Sequence, residues 1–166
     1  MNLGKKIKIV TYPHPALRQK GENVIDINSR DIQQLIADMK VTMVAANGIG
    51  LAAPQVNKLL NIFIAQIDKD RIETFINPAI IWRSNKHTPL EEGCLSLPGI
   101  SAVVERPEKV IITYLNEKGQ RKIKKAGGLL AKVIQHEFDH LNGILIIDKA
   151  KDITQGKDLI KQLDVS

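Results

Sequence analysis

The residues of this chain best suited to chemistry are His136-Glu137-Phe138-Asp139-His140, two histidines four positions apart with a glutamate beside the first. On a helix that spacing places both imidazoles about one turn apart on a single face. The pattern H-E-x-x-H uses such a pair to bind a divalent ion, and its glutamate, here Glu137, to handle the proton of the bound water. Two ligands make half a site. The identity of the third decides the reaction.

The familiar peptidase patterns draw that ligand from downstream. From Leu141 to Ser166 there is no glutamate, and the longer form H-E-x-x-H-x-x-G-x-x-H is matched through Gly143 but has Ile146 where the last histidine belongs. His14, between two prolines, and His87, in a polar loop, sit in segments unprepared for a metal. Asp148 stays open as a downstream carboxylate. The remaining donor is the only cysteine, Cys94, in Glu91-Glu92-Gly93-Cys94-Leu95-Ser96-Leu97-Pro98-Gly99. One thiolate and two imidazoles leave the fourth tetrahedral position to water, as in catalytic rather than structural sites. Glu92 is a candidate acceptor for a ring N–H of a ligand histidine, and Asp139 either does the same or pairs with a base.

The elements that must position these groups are legible in part. Asn28 or Ser29 caps a helix whose apolar residues Ile32, Leu35, Ile36, Met39 and Met43 recur at steps of three and four and which stops at Asn47-Gly48. Runs rich in β-branched residues predict strands at Lys6 to Val10, Leu60 to Ile67, Glu73 to Ile76, Lys109 to Leu115 and Arg121 to Lys125, the last two joined by a turn at Asn116 to Gly119. The histidine motif lies on a second helix, Leu129 to Asn142, stopped by Gly143. Its expected buried positions are Leu129, Leu130, Val133, Ile134 and Leu141. A short third helix is expected near Lys157 to Leu163. This order predicts an α+β fold with antiparallel β-sheets wrapped around a central metal-binding helix, plus an N-terminal amphipathic helix.

At 166 residues and 43% hydrophobic content the chain suits a single domain over 1–166, with about 151–166 as a C-terminal tail. No apolar run approaches the roughly 20 residues of a membrane span. The N-terminus lacks an apolar signal segment, and a lone cysteine suits a reducing compartment, so a cytoplasmic location is expected. The net charge of +6 is concentrated at Lys5, Lys6, Lys8, Arg18 and Lys20 and again at Arg121, Lys122, Lys124 and Lys125. With 4% aromatic residues there is little to stack on bases, so no dedicated nucleic-acid site is expected.

Three stretches together resemble the peptide deformylases: Gly48-Ile49-Gly50-Leu51-Ala52-Ala53-Pro54-Gln55, then Glu92-Gly93-Cys94-Leu95-Ser96, then Gln135-His136-Glu137-Phe138-Asp139-His140-Leu141-Asn142-Gly143. The surrounding Asn77-Pro78 and Arg106-Pro107 are also similar. The resemblance spans roughly residues 5 to 150. It implies a metal-dependent hydrolase that removes the formyl group from the N-terminal formylmethionine of nascent polypeptides. It makes Cys94, His136 and His140 the metal ligands and Glu137 the general acid/base. It also implies that Gln55 and the backbone N–H of Leu95 hold the formyl oxygen, and that Gly48 to Gly50 and the stretch after Leu97 flank an extended peptide. For the methionine side chain an apolar pocket is needed, and Ile49, Leu90, Leu129 and Val133 are the candidates. The ion implied is Fe2+, while the ligand chemistry also suits Zn2+, Ni2+ or Co2+. Formylmethionyl nascent peptides, a transient ribosome contact and a monomeric state complete the expectation. Where well-known members place a basic residue soon after the cysteine motif, this chain has Gly99-Ile100-Ser101.

Overall fold

Ser29 opens the first long helix, α1 (Arg30–Ala45), by accepting a hydrogen bond from the Ile32 N–H, which satisfies one of the unpaired donors of a helix start. In the computed structural model, which describes residues 3–164, Leu35, Ile36, Met39 and Met43 of its apolar stripe are buried. Along the chain follow β1 (Gly50–Ala52), β2 (Ile62–Asp68), β3 (Arg71–Arg83), β4 (His87–Gly93), β5 (Ser101–Pro107), β6 (Lys109–Leu115) and β7 (Arg121–Gly127). Then come α2 (Gly128–His140), α3 (Ile146–Lys149), β8 (Ala150–Gln155) and α4 (Lys157–Asp164). One sheet has the order β1-β2-β3-β6-β7 and the other β4-β5-β8. Every pairing between these strands is antiparallel, so the chain is α+β as its sequence predicts. The metal-motif helix α2 packs against β1, β2, β6 and β7 of the larger sheet and against β5 of the smaller one.

The alternation of β6 sends Val110, Ile112 and Tyr114 inward, as the twofold period of a strand requires. There Tyr114 meets Phe75, ring centroids 4.3 Å apart, and Phe75 stacks on Phe63 at 4.5 Å. Ala131 and Ile134 of α2 belong to the same buried cluster. This aromatic stack forms the bed on which the histidine-bearing helix rests.

Four sequence expectations differ from the structure. Lys6 to Val10 joins no sheet, because backbone donors in it are satisfied elsewhere: that of Ile7 by the Thr42 side chain and that of Val10 by the Gln55 carbonyl, while just before it the Lys5 N–H binds the Asp38 side chain. The strand expected to end at Ile76 continues to Arg83. Asn77-Pro78 is a bulge inside it, with Asn77 at φ 48° and its amide bonded to both backbone groups of Val24, so the breaker dipeptide shifts the register without ending the strand. Leu129, expected to be buried, is 61% exposed, since it sits in the first turn of α2 beyond the cover of either sheet. Residues 151–155, expected in a C-terminal tail, belong instead to β8 and complete the smaller sheet.

Replacing Phe75 by Ala should lower unfolding stability by about 3 to 5 kcal/mol through loss of contact area and a residual cavity. Urea unfolding checks this, and the slope with denaturant should remain that of the unmodified chain.

Candidate metal centre

Cys94 stands immediately after β4, and His136 and His140 occupy the last turns of α2. Three ligand atoms, one from each, lie within 4.8 Å of one another. The Cys94 Sγ is 3.3 Å from His140 Nε2, which is 3.2 Å from His136 Nε2. Two ring nitrogens this close repel unless a proton or a cation lies between them. A tetrahedral ion bound through nitrogen and sulfur separates its donors by roughly 3.4 to 3.6 Å, so the donor types and their spacing fit such an ion. Among the described residues this is the one cluster that does so. Asp148 lies elsewhere, paired with Arg18 and accepting the Leu145 N–H at 2.8 Å. His14 accepts the Ala16 N–H, and His87 is exposed.

A buried ion network orients the ligands. His136 Nδ1 is 3.0 Å from Glu92 Oε2, which leaves Nε2 as the ligating nitrogen. Glu92 accepts two bonds from Arg106, at 2.6 and 2.9 Å, and Arg106 also donates to Asp139 at 2.7 Å. Burial alone would raise the Glu92 pKa, but the Arg106 and His136 hydrogen bonds overcome it and hold the carboxyl at about 2. Lys149 binds the other Asp139 oxygen at 2.7 Å. Burial, together with the facing His136 and Arg106, pushes His140 well below its ordinary value and keeps that ring neutral. Arg106-Pro107 is noticed in the sequence only through resemblance, and Lys149 is not noticed at all. Their signal is weak because a basic residue near the end of a strand, like Arg106, or of a short helix, like Lys149, ordinarily faces solvent.

Gln55 is 1% exposed, in a short turn after β1. Its side-chain oxygen accepts the Ala52 N–H at 2.9 Å, which fixes the amide so that Nε2 points at Ser96 Oγ, 3.2 Å away, and Cys94 Sγ, 3.6 Å away. The N–H donors of Gln55 therefore face the cluster. Glu137 lies beside it with Oε2 buried and unpaired among the described residues. Burial raises this carboxyl to about 7, with His136 and Arg106 pulling it down in part, a value suited to exchanging a proton near neutrality. Gly50 faces Glu137 directly, because an added Cβ would come within 2.8 Å of the carboxyl carbon. A Cβ on Gly48 would likewise fall 2.8 Å from a Leu95 methyl. These glycines thus allow β1 to close over α2 and the cysteine loop.

The cluster opens into a cavity of about 650 Å³. Every residue that the family resemblance assigns to metal, substrate or catalysis lines it except His140, which lies behind, 1% exposed. Val133 forms buried wall, whereas Ile49 and Leu129 are exposed rim, at 46% and 61%. Leu95 is half-buried there. Gly99, Ile100 and Ser101 also line it, so the segment after the cysteine motif reaches the cavity without a base of its own. Lys132 and Gln155 also line it and escape notice in the sequence, one inside an apolar helix and the other in a polar tail.

Comparison with known proteins gives one answer. Residues 6–156 match the model of the polypeptide deformylase family. A peptide deformylase of Natranaerobius thermophilus is 42% identical over 146 residues, 88% of this chain and 93% of that protein. The crystal structure of peptide deformylase from Thermotoga maritima superposes with a TM-score of 0.85 at 35% identity, covering 89% of this chain and 99% of that one. A Met-Ala-Ser-bound peptide deformylase structure from Acinetobacter baumannii superposes with a TM-score of 0.83 at 31% identity, covering 90% and 99%.

Because the folded Glu92 carboxyl titrates near 2, against an ordinary value of 4.5, the stability it contributes is complete above pH 4.5 and is lost as the pH falls toward 2. Urea unfolding of chelator-treated protein should fall steeply through that window. Glu92→Gln should flatten the fall, and equal slopes in the two proteins would remove this role.

Proposed function

The chain belongs to the polypeptide deformylase family and is a hydrolase; from that premise we propose that it removes the formyl group from the formylmethionine of nascent polypeptides, releasing formate, with one divalent ion. The observation that carries the reading is the convergence of Cys94, His136 and His140 beside a cavity that the first two line and that also presents Glu137 and Gln55. Three protein ligands open to a cavity fit a catalytic ion better than a structural one, which is normally closed by four.

Cys94, His136 and His140 would hold the ion, which would supply the Lewis acidity needed to make water nucleophilic at neutral pH. Glu137 takes the proton of the attacking water and returns it to the departing amine, a double role that its raised pKa suits. The Gln55 Nε2 donates to the formyl oxygen as negative charge develops there, already aimed by the Ala52 N–H and costing no reorientation. The Leu95 N–H is assigned the same oxygen. Methionine enters among Leu90, Leu129, Val133 and Ile49, and the following residues extend between Gly48 to Gly50 and the stretch after Leu97. β1 is an edge strand of its sheet, so an extended peptide can pair along it. The Acinetobacter baumannii relative is described with a bound Met-Ala-Ser tripeptide.

Fe2+ is the native ion in this reading, with Zn2+, Ni2+ and Co2+ compatible with the same donors. The reading also places the protein in the cytoplasm as a single-domain monomer that meets chains emerging from the ribosome. No helix among the described residues is long and apolar enough to cross a membrane.

Formate release from formyl-Met-Ala-Ser tests the assignment. Glu137→Ala should retain the ion and lose turnover, whereas Cys94→Ala should lose the ion. Gln55→Leu should lower kcat by roughly 10²- to 10³-fold. Turnover surviving in Glu137→Ala would overturn the mechanism. Protein prepared in air without reductant should lose activity as iron or Cys94 oxidises; unchanged turnover after long air exposure would exclude iron.

A further inference from the structure

The mouth of the cavity is where α1 ends. Gly50 faces the Glu137 carboxyl, and from it the cavity lining runs back through Ile49 and Gly48 to Asn47, whereas Leu51 and Ala52 on its other side are fully buried. With its formyl end beside Glu137, an extended peptide therefore runs antiparallel to β1, toward Asn47. The steps from Gly50 to Asn47 span roughly 10 Å, the length of three extended residues. Asn47 is the left-handed residue that closes α1, at φ 55°, its N–H on the Val44 carbonyl and that of Gly48 on the Met43 carbonyl. This closure joins the last turn of the helix to the cavity mouth. From Val41 to Gly50 the sequence has no charged residue, in a chain that is 25% charged. The exposed residues of that stretch are Val41, Val44, Ala45, Asn47 and Ile49. Val41 is 40% and Val44 60% exposed, one turn apart on one face of the helix. Such a face in water ordinarily carries polar groups, with bases in the last turn to complement the carbonyl end; this last turn has none.

Resting on the deformylase reading, we propose that the exposed face of α1 at Val41, Val44 and Ala45 extends the substrate groove and binds apolar side chains of the fourth to sixth residues of the nascent chain. The occupant follows from continuity with the cavity. A substrate that is a growing polypeptide continues past its third residue, and the mouth by which it leaves is Asn47. Its fourth residue passes Ala45 and Val44, and one helical turn, about 5 Å, carries the path to Val41. Apolar side chains laid there remove hydrocarbon from water on both partners, whereas polar ones gain nothing from valine. The contact is remote from the reacting bond and is the same before and during the reaction, so it lowers KM and leaves kcat as it was.

The test compares kcat and KM of the metal-loaded full chain on formyl-Met-Ala-Ser-Leu-Ser-Leu and formyl-Met-Ala-Ser-Ser-Ser-Ser, with formate as the readout. The leucine peptide should show a KM about tenfold lower at similar kcat, as expected for partial burial of two leucine side chains. The double variant Val41→Gln/Val44→Gln keeps good helix formers at exposed positions and should bring the ratio of the two KM values to about one. Equal KM values in the unmodified protein, or a ratio unchanged in the double variant, overturn the proposal while deformylation stands. Should the variant not fold, photo-cross-linking to the unmodified protein decides it: a benzoylphenylalanine at the fifth residue of the deformylated peptide should attach to residues 41–46, and attachment elsewhere overturns the proposal. Sedimentation showing a dimer of the unmodified protein that Val44→Gln dissociates would give this face to a second copy of the chain and also overturn it. No formate from either hexapeptide or from formyl-Met-Ala-Ser instead removes the deformylase reading itself.

Discussion

Arg106 is the charge around which the site is assembled. It is 3% exposed and spends its guanidinium on Glu92 of β4 and Asp139 of α2. Those two carboxylates stand on either side of the boundary between the smaller sheet and the metal-motif helix, so one cation fixes how the cysteine-bearing strand sits against the histidine-bearing helix. Removing one partner of such a buried set typically costs about 3 to 5 kcal/mol, because the others remain buried without compensation. A network of this type contributes little net stability compared with apolar packing. Its consequence is positional, since a carboxylate gripped from two sides by Arg106 holds the His136 ring at one rotation and one tautomer.

The same interaction explains which parts of the fold were readable in the sequence. β6 and α1 announce themselves because their buried faces are apolar at the strand and helix periods. β5 buries Ala102, Val104 and Arg106 on one face, and the arginine breaks the hydrophobic alternation at the position the site needs most. β4 carries Pro89 and two glutamates, and β8 has only a polar run, so both look like loop until their pairing with β5 is seen. α2 has a clear stop at Gly143, yet it buries Lys132, Gln135, Glu137 and Asp139. The histidine pair and the cysteine were legible as donor types; their meeting depends on contacts between distant segments, which no local pattern encodes.

The catalytic groups are also oriented by simple steric and hydrogen-bonding exclusions. The Gln55 amide has one orientation because only its oxygen can accept the Ala52 N–H. The reversed amide would set two donors against each other and leave Cys94 facing a carbonyl. Glu137 has a place to stand because residue 50 lacks a side chain. Each group is held before any substrate arrives, which is the condition under which hydrogen-bond donors lower a barrier instead of merely binding.

These exclusions share one geometry. α2 is gripped from the smaller sheet by polar side chains: Lys132 on Thr88 and Arg106, Gln135 on Pro107, and Asp139 on Arg106. From the larger sheet it is held by apolar packing on the aromatic stack. A helix buried on one face by hydrocarbon and on the other by satisfied polar groups can carry ionisable residues along its polar face at tolerable cost, which a wholly apolar core could not. That polar face leads into the cavity, so the residues that fasten the helix and the residues suited to chemistry lie along one line.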